Sequence, residues 1–167
     1  MARLTPPDTR FKRGAVAGLL GAVVAAAWFF VLDLIDGHPL RTPAAIGSAL
    51  LFGKSTIDTS ANVIVPYYVF HFAAFIIAGL LFTWITERIE RRPSFMFFAL
   101  LFVILGEALA LANFTTYAQW NLGSLGVWSV TVANVLSIAV MGWYIWSTHP
   151  RLRHLGDQPP PAGAIRV

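Results

Sequence analysis

The sequence predicts an all-α integral membrane protein: a four-transmembrane-helix antiparallel bundle, with a short interfacial or re-entrant helix between helices 1 and 2. Three observations carry that expectation. Four apolar stretches, at about 14–36, 64–86, 94–117 and 124–147, each reach the ~20 residues that cross a hydrocarbon core of about 30 Å. The chain is 57% hydrophobic and only 12% charged, about half the charge of an ordinary soluble domain. Its 12 Lys and Arg are gathered in the segments between and outside the apolar stretches. A segment in lipid must satisfy its own backbone groups, so each stretch reads as a helix.

Residues 1–13, MARLTPPDTRFKR, are polar and proline-containing and end in the cations Arg10, Lys12 and Arg13, which reads as a cytoplasmic arm and anchor. A basic start, an apolar run and Ala25-Ala26-Ala27 resemble a cleavable signal peptide. The apolar run continues through Trp28, Phe29, Phe30, Val31 and Leu32, too long for a signal core, so this is the first span. Gly14, Gly18, Ala22 and Ala25 share a stripe with small-xxx-small spacing, which suits close packing of another helix or a dimer interface.

Gly37 and Pro39 stop the first span just after Asp33 and Asp36, which lie three apart on one face. Carboxylates there oppose the negative end of the helix dipole, so a cation is expected close by: Arg41, Lys54, another subunit or a metal. With His38 they make an acidic and histidine cluster at the outer face, whose plain alternative is a solvated helix end. Thr42-Pro43 then starts, and Gly53 closes, an apolar helix over about 43–53 that is too short to span. It is expected to lie in the interface or dip into the bundle, either as a simple cover or as a gate or docking element.

The second span, about 64–86, starts beside Pro66 with Tyr67 and Tyr68 as an aromatic belt, and Trp84 marks its end. His71 lies within it, with Ala74 and Ala78 sharing its face. The charged turn Glu87-Arg88-Ile89-Glu90-Arg91-Arg92-Pro93 leads into the third span, about 94–117, where Glu107 is the one ionisable side chain. Glu107 is too deep for its short side chain to reach the interface, so it is protonated or faces the bundle interior. A neutral Glu107 bonded to a neighbouring helix accounts for it as structure alone. The fourth span, about 124–147, is capped by Ser124 and carries Ser129, Ala133 and Ser137 at intervals of four, another packing stripe, together with Asn134. The tail 149–167 is basic and then proline-rich, an extended or disordered cytoplasmic segment.

This threading places Arg3, Arg10, Lys12, Arg13, Arg88, Arg91, Arg92, Arg151, Arg153 and Arg166 on one side, and only Arg41 and Lys54 on the other. The positive-inside rule then puts both termini in the cytoplasm, as fits a bacterial inner membrane. The net charge of +4 therefore reads as topology, not as a nucleic-acid surface. The absence of Cys excludes disulfides, thiolate metal sites and CxxC redox chemistry.

Counted from the outer ends, His71, Glu107 and Asn134 lie about 8, 11 and 10 residues in, a common depth of about 12–16 Å. That depth defines a candidate intramembrane polar cluster, in which pairing of His71 with Glu107 would offset the burial of both. No GxSxG, HExxH, P-loop or GxGxxG motif occurs. The expected function is that of a non-catalytic accessory or structural subunit of a larger respiratory, photosynthetic or transport complex, with the lipid bilayer and partner membrane subunits as its surroundings and no bound cofactor. The alternatives are a small transporter or proton-conducting protein using Glu107 and His71, and a metal- or cofactor-binding redox membrane protein.

Overall fold

The computed structural model describes residues 7–91, 97, 101, 104, 105, 108 and 125–148. Among the described residues the chain is all-helical. Helix α1 runs Pro7–Ile35, α2 Arg41–Phe52, α3 Ala61–Arg91 and α4 Leu125–Thr148. Three of them contain stretches long and apolar enough to cross a membrane, Thr9–Ile35, Ala61–Ile89 and Trp128–Thr148. The expected third span, 94–117, lies outside the described residues apart from Phe97, Leu101, Ile104, Leu105 and Ala108, all helical and exposed.

Two helices begin earlier than the apolar stretches alone indicate. α1 takes in the cations Arg10, Lys12 and Arg13 and opens at Pro7, a residue whose fixed φ and missing N–H suit a first helical turn. α3 starts at Ala61 and carries Pro66 inside it. Ser60 begins it by accepting the N–H groups of Val63 (3.0 Å) and Ile64 (3.1 Å). Hydropathy reports where lipid begins, whereas hydrogen bonding continues the helix into the aqueous layer.

α1 is the central element, with α3 against one flank and α4 against the other. Both run antiparallel to it. Arg10 pairs with Glu87 near the start of α1, and Ala22 with His71 further along. On the other flank Gly21 pairs with Ser137, and Trp28 with Ser129. α3 and α4 are thus parallel to each other, so α3 ends and α4 begins at opposite ends of the bundle.

The α1–α3 crossing is built on glycine because backbone meets backbone there. A Cβ on Gly18 would collide with the Phe75 carbonyl oxygen and lie 2.6 Å from the Ile76 Cα. One on Gly79 would meet the Gly14 carbonyl oxygen and the Gly18 nitrogen, with the Gly18 Cα at 2.7 Å. Such approach is the membrane substitute for a hydrophobic driving force, since lipid is as apolar as any side chain. Ala17, Ala22 and Ala25 are buried beside these glycines. The three long helices converge at Gly21, where an added Cβ would lie 2.6 Å from the Met141 sulfur and 3.1 Å from Phe75.

The opposite face of α1, with Val16, Leu19, Val23, Phe30, Val31 and Leu34, is exposed, as is half of α3 from Val65 to Trp84. In water such a surface would drive aggregation; in hydrocarbon it is the ordinary outer layer of a span.

Candidate functional site

Polar side chains inside this apolar bundle fall into a corner, where α1 hands over to α2, and a mid-span group around His71.

At the corner the chain reverses through Gly37 (φ 75°) and Leu40 (φ 68°), the latter a branched side chain in a left-handed conformation that costs about 1–2 kcal/mol. What holds it there is Asp33, which is buried at 5% exposure. Its carboxylate accepts the Thr42 backbone N–H at 2.8 Å on Oδ2 and the Thr42 hydroxyl at 2.6 Å on Oδ1. Leu40, the residue before α2, offers no side-chain cap, so the carboxylate nine residues upstream of Thr42 does the capping. Every first-turn donor of α2 is thereby satisfied. The Arg41 N–H goes to the His38 carbonyl, Ala44 N–H to the Leu40 carbonyl, and Pro43 has none to place.

Asp36 makes a different contact. It is exposed and pairs with Arg41 at 3.3 Å. His38 bonds through Nδ1 to the Asp36 carbonyl at 2.9 Å. Of the two cations expected near the acidic pair, Arg41 is there, while Lys54 pairs with Asp58 at 2.8 Å. The three residues Asp33, Asp36 and His38 therefore share one turn but do not converge on a common point. Among the described residues no group of three or more His, Cys, Asp or Glu is arranged to hold a metal ion.

α2 is wedged into the bundle by its first half. Thr42, Pro43, Ala44, Ala45, Gly47 and Ser48 are buried, and Gly47 gives room for Val63 and Tyr67 of α3. Its far end projects, with Leu50 and Phe52 exposed. The Ser48 hydroxyl accepts the Asp58 N–H at 2.9 Å, and Asp58 Oδ1 accepts the Ser60 N–H at 3.0 Å. This clips the connection to the start of α3. The Lys54 ammonium foremost, and then the donors of Ser60, hold the Asp58 carboxyl well below the usual carboxylate range.

His71 is half-buried on α3. Its Nε2 lies 3.2 Å from the Ala22 carbonyl oxygen of α1. A carbonyl only accepts, so Nε2 carries the proton, and in the neutral ring Nδ1 keeps its lone pair. The ring is stacked on Tyr67 at 5.7 Å and lies 4.7 Å from Phe75. Asn134 is half-buried on α4, and Glu107 lies outside the described residues. Ala74 and Ala78, on the same helix as His71, are exposed.

The residues of the packing stripes occupy the two interfaces of α1. Gly14, Gly18 and Ala22 are buried in it, and Ser129, Ala133 and Ser137 are buried on α4. Ser137 donates its hydroxyl to the Gly21 carbonyl at 3.0 Å, and Trp28 Nε1–H donates to the Ser129 carbonyl at 3.0 Å. Trp28 also meets Trp128 edge-on at 6.1 Å.

Sequence reasoning missed the roles of four residues. Thr42 was legible as a helix start but not as the partner of Asp33. Gly79 has Thr83, not a second glycine, four positions away, so its run shows no glycine pair. Arg10–Glu87, at 3.1 Å, joins two segments separately read as loop anchors. Comparison of the chain with protein-family models, curated proteins and solved structures found no match in any of the three.

Proposed function

We propose that this chain is a non-catalytic accessory or structural subunit of a larger membrane complex, threaded four times through a bacterial cytoplasmic membrane with both termini inside and α2 at the outer interface. One observation carries the reading: most of the buried polar groups in the described helices tie one element to another, and Thr83 bonds back to its own helix. Asp33 caps α2, Ser48 anchors Asp58, Ser137 and Trp28 tie α4 to α1, and His71 ties α3 to α1. A catalytic centre instead leaves titratable groups convergent on a cleft. The fourth crossing is supported by the parallel run of α3 and α4. Residues 92–124 have to travel from one end of the bundle to the other, and 94–117 is apolar and long enough to do so within lipid.

The test is purification from native membranes in a mild detergent. The chain is expected to co-migrate with a larger assembly and to lose stability when separated from it. Recovery as a stable monomer with an activity of its own would sink the proposal.

A second reading, a proton-conducting protein using His71 and Glu107, is favoured by the Nδ1 lone pair that His71 keeps inside a span. Proton flux into liposomes carrying the wild type and Glu107→Gln decides it; equal flux in both removes this reading.

A further inference from the structure

The end of the bundle where α1 begins and α3 finishes is the basic one. Residues 1–13 and 87–93 contain seven Lys and Arg against three Asp and Glu. One pair is internal: Arg10 Nε lies 3.1 Å from Glu87 Oε1 and clamps the start of α1 to the end of α3. The Arg10 Nε–H is not aimed at that oxygen, so the attraction is between charges and not an aligned hydrogen bond. Lys12, Arg13 and Arg88 have no carboxylate partner among the described residues. Lys12 and Arg88 are exposed and Arg13 is half-buried.

Apolar surface adjoins these cations. Phe11 is 61% exposed and Trp84 47% exposed. The Arg88 guanidinium lies over the Trp84 ring at 4.9 Å, which keeps this cation at the level where the apolar span gives way to charge. An acidic soluble partner would need the cations and leave Phe11 and Trp84 in water. A phospholipid presents phosphate and, a few ångströms deeper, the acyl boundary where an aromatic ring is comfortable.

We propose that this end of the bundle binds anionic phospholipid headgroups, with Lys12, Arg13 and Arg88 facing the phosphates and Phe11 and Trp84 set at the acyl boundary. Arg10 is excluded because Glu87 neutralises it. The opposite end lacks the property: Arg41 pairs with Asp36 and Lys54 with Asp58.

The experiment is electron spin resonance on the full chain in phosphatidylcholine bilayers, comparing association of spin-labelled phosphatidylglycerol with spin-labelled phosphatidylcholine. The wild type is expected to prefer phosphatidylglycerol, by up to about fivefold for each cation engaged. The triple variant Lys12→Gln, Arg13→Gln, Arg88→Gln is expected to bring the two lipids near parity. The control Arg41→Gln, Lys54→Gln is expected to keep the preference. In about 1 M salt, where screening extends only about 3 Å, the wild-type preference should fall. That arm needs no variant, so persistence of the preference in salt overturns the proposal even if the triple variant does not fold. Absence of a preference in the wild type, its persistence in the triple variant or in salt, or its loss in the control overturns the proposal.

Discussion

A carboxylate at the tail of a helix sits against the negative end of that helix's dipole, and Asp33 is stabilised there by a second helix that needs an acceptor. Asp33→Ala leaves the Thr42 N–H and hydroxyl without partners in a buried place, which costs about 1–3 kcal/mol. The expected result is a lowered melting temperature in detergent, with a smaller loss for Asp33→Asn, which keeps one acceptor oxygen. Equal melting of Asp33→Ala and wild type would contradict the capping role. Asp58 gives a pH prediction. Its folded pKa is depressed, so its contribution is present above the unfolded value of about 3.9 and fades as pH falls through and below it. The protection of amides in residues 53–60 relative to their intrinsic exchange rates is expected to be alike at pH 7 and pH 5 and to fall below about pH 4. Asp58→Asn should show the lower protection at every pH. The sequence announced the acids at 33 and 36 and a cation such as Arg41 beside them, but not the partner of Asp33, and it did not single out Asp58. Thr42 is nine residues from Asp33, and nothing in linear spacing sets which of several nearby donors a carboxylate meets.

At the scale of elements, two kinds of contact join the helices, and they should respond differently to mutation. The α1–α3 crossing is steric. Gly18→Leu or Gly79→Leu forces backbone apart from backbone, and thermal unfolding of either variant is expected well below the wild type. Gly142→Ala, where a Cβ meets nothing within 4 Å, should leave unfolding unchanged. If Gly18→Leu melts like the wild type, the close crossing is not what stabilises this pair. The α1–α4 interface adds hydrogen bonds to packing. Ser137→Ala removes the bond to the Gly21 carbonyl, for which about 0.6 kcal/mol is typical between membrane helices, so a small shift is expected. α2 was legible as a short apolar helix between Thr42-Pro43 and Gly53. That its first half is buried and its last residues project was not, because an all-apolar helix carries no pattern that tells a protein neighbour from lipid.

For the whole molecule, the absence of Cys makes single-cysteine labelling a direct test of threading. Reporters at Lys12→Cys and Arg88→Cys are expected to label from one side of the membrane, and a reporter at Lys54→Cys from the other. Finding Arg88 and Lys54 on the same side would undo the arrangement. What the sequence determined by itself was the class of solvent, the number and approximate limits of the apolar stretches, and the charge asymmetry between their ends. Length, hydropathy and the position of Lys and Arg are properties of composition along the chain, and they survive without any knowledge of neighbours. The tertiary structure decided which faces meet: α1 in the centre, Gly79 as the counterpart of Gly14 and Gly18, His71 turned to the Ala22 carbonyl, and Asp33 holding Thr42. Those depend on the rotation of each helix about its own axis. In a chain whose lipid-facing and protein-facing sides are both apolar, that rotation is set by shape and by a few hydrogen bonds, which only the packed helices reveal.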